Sequence, residues 1–167
     1  MSRQRGFSLI EVLVSLLLTC IGVLGMAVLQ GRAVQYSHDA TLRNNAIILA
    51  DDLLEMMRSN RTALLGAHDK LSSASAYYKA VGSSLPSTPG NCADRDRSSG
   101  GAAIATADLG CWRGEVEKLL PVTPAILDSN FFIIRDTDST VRIQVAWADA
   151  KSGLCKSICT YTLRAEL

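Results

Sequence analysis

Glu11 is the only charged side chain between Phe7 and Gly31, in a run otherwise made of apolar, small and uncharged polar residues. A carboxylate in a membrane span costs about 2.5–3.5 kcal/mol at the centre of the bilayer and less near an end. Placed at headgroup level, Glu11 would cost little and need no partner. Placed in an apolar assembly, it needs a positive one. Cleavage of the chain after Gly6 would create that partner, a new α-amino group on Phe7. In a stack of parallel helices, Glu11 of one copy would then pair with the amine of its neighbour, and any other axial register would leave a desolvated charge unpaired.

Five cysteines are the next residues with chemistry: Cys20, Cys92, Cys111, Cys155 and Cys159. Cys20 lies in the apolar run and behaves there as a small apolar residue. The other four follow the run, and in an exported domain they would form disulfides. Four cysteines allow three pairings, and sequence alone does not choose among them. Proximity favours Cys92–Cys111 and Cys155–Cys159. The second pairing demands a turn, because residues four apart on an extended strand lie roughly 13 Å from each other, beyond disulfide reach. Zinc ligation is disfavoured because Cys92 and Cys111 lie too far apart for a ligand pair. His38 and His68 read as solvated. No nucleophile elbow or phosphate-cradling loop is present, so no catalytic residue, metal or cofactor is expected, and the protein is not read as an enzyme. Asp136 and Asp138 lack the other acids of a calcium loop and read as turn residues. Asp94, Arg95, Asp96 and Arg97 read as a solvated loop.

These residues require elements to position them. The chain has 167 residues, enough for one modest core, and its net charge of +1 gives no reason to expect a nucleic-acid partner. Arg3 and Arg5 precede the apolar run. Residues 7–31 form a stretch of 25, about 38 Å as a helix and long enough for a bilayer core of about 30 Å. The preceding arginines place the N-terminus in the cytoplasm. The run is too long for the core of a cleaved secretory signal and has no small-x-small site after it, so it is expected to be retained. Beyond Arg32, Leu42, Ala46, Leu49, Leu53 and Met56 recur at helical spacing, widened by Ile47, Ala50, Leu54 and Met57. One helix is therefore expected from 7 to about 58, apolar in its first half and amphipathic in its second. Residues 59–129 read as irregular. They include an exposed loop at 82–101 and a short helix from Asp108 as N-cap to Leu120, stopped by Pro121.

From residue 130 the period changes to two. Val141, Ile143, Val145 and Trp147 alternate with Arg142, Gln144, Ala146 and Ala148, and Tyr161, Leu163, Ala165 and Leu167 alternate likewise with polar neighbours. With a shorter strand at 131–135, they predict an antiparallel meander whose apolar face takes the amphipathic half of the helix. The fold class is α+β.

The string Arg5-Gly6-Phe7-Ser8-Leu9-Ile10-Glu11-Val12 resembles the prepilin signal of type IV pilins and of type II secretion pseudopilins. The resemblance implies that a prepilin peptidase cuts between Gly6 and Phe7 and N-methylates Phe7, and that Glu11 sets helix registration during assembly. Residues 50–61, Ala50-Asp51-Asp52-Leu53-Leu54-Glu55-Met56-Met57-Arg58-Ser59-Asn60-Arg61, are similar to the helix end of the minor pilins called type IV pilus modification protein PilV. The strand 141–149 resembles that family more loosely, and 62–129 resembles nothing named. The organisation implied is a leader at 1–6, a membrane and assembly half at 7–31, and a periplasmic pilin-like domain at 32–167. The chain would sit in the inner membrane in a single pass and then in the pilus. There it would join other minor pilins and the major pilin in priming assembly, and so support attachment or twitching motility. Two rivals remain at this stage: a minor pseudopilin of a type II secretion system, and a membrane-anchored adhesion module that never polymerises.

Overall fold

In the computed structural model, described for residues 8–93, 96–137, 139–149 and 155–167, four α-helices precede a three-stranded sheet. Helix α1 spans Leu9–Ser59, α2 Arg61–Leu64, α3 Gly101–Leu119 and α4 Pro124–Asn130, with a 3-10 turn at Ala67–Asp69. The strands are β1 Phe132–Arg135, β2 Thr140–Ala148 and β3 Ile158–Glu166. Contacts divide the chain into two compact units, Met1–Asp39 and Ala40–Leu167, and α1 contributes to both.

In the second unit the amphipathic part of α1 buries Leu42, Ala46, Leu49, Ala50, Leu53, Leu54 and Met57. This is the stripe expected from the spacing, except that Met56 is half-buried and Met57 takes the inward position. The sheet is an antiparallel meander in the order β1-β2-β3. Val141, Ile143, Val145 and Trp147 of β2 face the core beside Ile133 of β1. Helix and sheet share one hydrophobic core, the α+β arrangement predicted from the change of period.

The region read as irregular departs most from expectation. Helix α3 begins at Gly101, seven residues before the expected start, and its N-cap position is Gly100 with φ +58°. Asp108 is therefore no N-cap but a fully buried mid-helix residue. The run Ala102 to Ala107 is apolar and small apart from Thr106, good helix-forming sequence that the Asp108 cap signal obscured. Trp112 of α3 is buried at the centre of the core, donates from Nε1 to the Leu49 carbonyl at 2.8 Å and meets Phe131 edge-to-face at 6.0 Å. The segment 87–89 lies directly on α3. A Cβ at Gly110 would stand 2.5 Å from the Ser87 carbonyl oxygen, so only glycine permits this approach. Helix α4 was also unforeseen. Thr123 caps it by accepting from Ile126 N at 3.3 Å, and Pro124 occupies its first turn. It packs against β2. Ala146, expected to face outward, is fully buried there, and Gln144 is half-buried.

Candidate functional site

Glu11 lies in the first turn of α1, where its backbone N–H donates to the Ser8 carbonyl at 3.0 Å. An acid at this end also suits the helix dipole. From Leu9 to Leu29 the large apolar side chains project outward, and each leaves at least half of its surface uncovered within the chain. The two hydroxyls within this segment, Ser15 and Thr19, bond to carbonyls of the same helix. Ser15 Oγ donates to the Val12 carbonyl at 2.9 Å, and Thr19 Oγ1 approaches the Ser15 and Leu16 carbonyls at 2.6 and 3.0 Å. By length and composition, α1 is able to cross a membrane. Cys20 is free and exposed on it. Gly6, Phe7 and the arginines of the leader lie outside the described residues.

In the second unit the structure joins Cys92 to Cys111 and Cys155 to Cys159, with Cα separations of 5.6 and 5.3 Å. Cys155 stands on a bend and Cys159 early in β3, so the chain turns between them. Residues 150–154, which lead into this turn, are outside the described residues. The first bond ties the loop after Pro89 to the middle of α3.

Between this loop and the end of α1 lies a polar cluster that the sequence did not reveal. Arg97 Nη2 is 2.9 Å from Asp108 Oδ2 and also donates to the Met56 carbonyl at 3.2 Å and Ser59 Oγ at 2.8 Å. Tyr77 shares the Asp108 carboxylate and reaches the Met56 carbonyl. The Asn60 amide clamps the first residue of α3, accepting from Gly101 N at 2.8 Å and donating to its carbonyl at 3.0 Å. Arg97 thus corrects the reading of 94–97 as a solvated loop, while Asp94 and Arg95 lie outside the described residues. Burial raises the Tyr77 pKa, and its hydrogen bond to Asp108 adds to the shift. Burial opposes the Arg97 charge, but the Asp108 carboxylate more than offsets it and raises the pKa. Neither residue is marked in the sequence, because nothing local relates positions 77, 97 and 108. The cluster fastens the domain together.

Lys79 is buried too. Its backbone pairs with Ile133 on the outer edge of β1, and its Nζ donates to the Asp128 and Phe131 carbonyls at 3.0 and 2.9 Å, closing the end of α4. Burial lowers its pKa. His38 and His68 are exposed. Asp136 pairs with Arg142 at 2.7 Å and Arg164 at 2.9 Å, which occupies its carboxylate at the β1–β2 turn; Asp138 lies outside the described residues.

An uncovered apolar helix with one acid at its start, continuing into a disulfide-tied α+β domain, defines a helix-anchored protein whose long helix is built to meet other apolar surfaces. Residues 1–27 match the family model of the prokaryotic N-terminal methylation motif, and residues 28–107 match that of type IV pilin Tt1218. By these two matches the chain is a type IV pilin. No match was found among curated proteins or among solved structures. A prepilin motif implies processing by prepilin peptidase, and a pilin assembles with other pilins. The apolar helix fits anchoring in the inner membrane before incorporation into the pilus.

Proposed function

We propose that this pilin is a minor subunit of the PilV type that helps to prime pilus assembly and carries no catalytic activity. The carrying observation is Glu11, one acid in the first turn of a helix whose apolar side chains are uncovered from Leu9 to Leu29. A carboxylate in such a helix is tolerated when a neighbouring subunit supplies a cation, and the methylated amine of Phe7 after cleavage at Gly6 is that cation. Two sequence features favour a minor subunit: the block 50–61 and the absence of proline before Pro86, where major pilins of this class usually carry one in the membrane helix. The proposed topology puts residues 1–6 in the cytoplasm and the disulfide-bonded domain in the periplasm. Partners are the prepilin peptidase, other minor pilins and the major pilin, and the consequences for the cell are attachment or twitching motility.

The test is Glu11→Ala in cells that assemble pili. Membrane insertion and the processed N-terminus at Phe7, read by mass spectrometry, should be retained, while incorporation into sheared pili should fall to background. Normal incorporation of the variant would remove the registration role from Glu11.

A further inference from the structure

The two edges of the sheet differ. The edge of β1 is closed by Lys79, whose N–H and carbonyl pair with Ile133 at 2.9 Å each. The edge of β3 is open over nine residues. In the β2–β3 register Leu167 N donates to the Ser139 carbonyl and Asp149 N to the Ser157 carbonyl. These bonds fix the alternation: residues 159, 161, 163 and 165 of β3 direct their backbone groups to β2. Ile158, Thr160, Thr162, Arg164 and Glu166 therefore direct theirs away from it. Among the described residues, the only group that meets this outward row is Arg58 Nη2, on the Glu166 carbonyl at 3.3 Å. Exposed edges are ordinarily blunted by proline, charged side chains, a bulge or an inward-pointing charge. β3 has no proline and its register is unbroken; its two charged residues, Arg164 and Glu166, stand at its C-terminal end, so 158–163 carry none of these protections.

Two further observations say what would cover it. Tyr161, Leu163 and Ala165 stand opposite core residues Val145, Ile143 and Val141, yet they are only half-buried where their partners are fully buried. The apolar face of the sheet is thus incomplete on the β3 side. At the end of the same edge, a cavity of about 230 Å³ is lined by Arg58, Arg61, Leu64, Leu65, Glu166 and Leu167.

We propose that the β3 edge accepts an extended segment of a different pilin subunit, whose alternate apolar side chains cover Tyr161, Leu163 and Ala165 and whose acidic residue meets Arg61 at the cavity, Arg58 there being already paired with Glu55 at 2.7 Å. Main-chain hydrogen bonds to the outward row supply the affinity, and the apolar and acidic positions supply the selectivity. A second copy does not fit. Its β1 edge is closed by Lys79, and two-fold pairing of β3 with β3 reverses the helix packed on the sheet, whereas subunits of one filament run parallel. That last step rests on the pilin reading; the open edge does not.

The experiment uses the full-length protein in detergent, co-produced with each of the other pilin subunits of the same cell in turn. In the complex with one of them, hydrogen exchange of the Thr160, Thr162 and Arg164 amides should slow roughly tenfold or more. Thr162→Pro removes an outward N–H without touching the β2 ladder, and it should weaken that complex by roughly tenfold or more. Arg61→Glu, an exposed change that leaves the core alone, should weaken it severalfold. The proposal is overturned if no subunit forms a complex, if a complex forms with these amides still exchanging freely, or if neither variant weakens it. It is equally overturned if the same amides are protected in the protein alone, which would mean self-pairing. None of these readouts depends on filament formation or on Glu11, so the edge and the pilin reading fail separately.

Discussion

Arg97 leaves 34% of its side chain exposed, whereas the Asp108 side chain it pairs with has no exposed surface. The asymmetry decides which loss is worse. Without Arg97, the carboxylate stays in a dry site and loses a charged partner, with Tyr77 still donating to it. Arg97→Met should therefore cost about 2–3 kcal/mol, below the value for a fully buried pair because the arginine already spends part of its time in water. Urea unfolding of the detergent-solubilised protein measures this, and a change under 0.5 kcal/mol would make the pair superficial. Tyr77 adds a pH dependence. Its folded pKa stands above the ordinary value of 10.0, so the folded state resists deprotonation more than the unfolded chain does. The resulting stability is present in full below pH 10 and is lost as pH rises beyond it. Thermal melts from pH 8 upward should drop above about 10, and Tyr77→Phe should flatten the drop.

At the scale of elements, α3 depends on close approach. The segment 87–89 lies against Gly110, and Thr88 lies against Gly114, where an added Cβ would stand 2.8 Å from Thr88 Cγ2. The neighbour at Gly110 is a backbone oxygen, which yields only if the loop moves. Gly110→Ala should thus destabilise the domain by about 1–3 kcal/mol despite alanine's better helix propensity. Gly31→Ala, in α1 with nothing within 4 Å of the new methyl, is the control. It should be neutral or stabilise the isolated protein by up to about 1 kcal/mol. Equal effects of the two substitutions would mean that the contact is not tight.

For the whole molecule, the Cys92–Cys111 bond spans 19 residues of sequence and joins α3 to a loop that also supplies Arg97. Replacing both cysteines by serine should cost about 3 kcal/mol in the chain-entropy account. It should also speed amide exchange at the end of α1, because Arg97 is then held less firmly on the Met56 carbonyl and Ser59. Hydrogen exchange with and without the bond checks this, and unchanged exchange around residue 56 would uncouple the loop from the helix.

The parts of this protein that sequence determined by itself are those governed by short-range period and by local motif. The apolar run with its single acid, the helical stripe from Leu42 onward and the alternation in 141–147 each repeat every two to four residues, so each is visible within a window. The same holds for the leader string that matches the methylation motif. Tertiary structure alone decided what happens where the pattern is silent. Asp108 looks like a helix start, but its carboxylate is claimed by Tyr77 and Arg97, which lie 31 and 11 residues away. Lys79 looks like a surface lysine, but two carbonyls, Asp128 in α4 and Phe131 just before β1, hold it inside. Which strand edge stays open depends on where residue 79 lands. Burial of a charge is settled by partners distant in the chain, and no local window contains them.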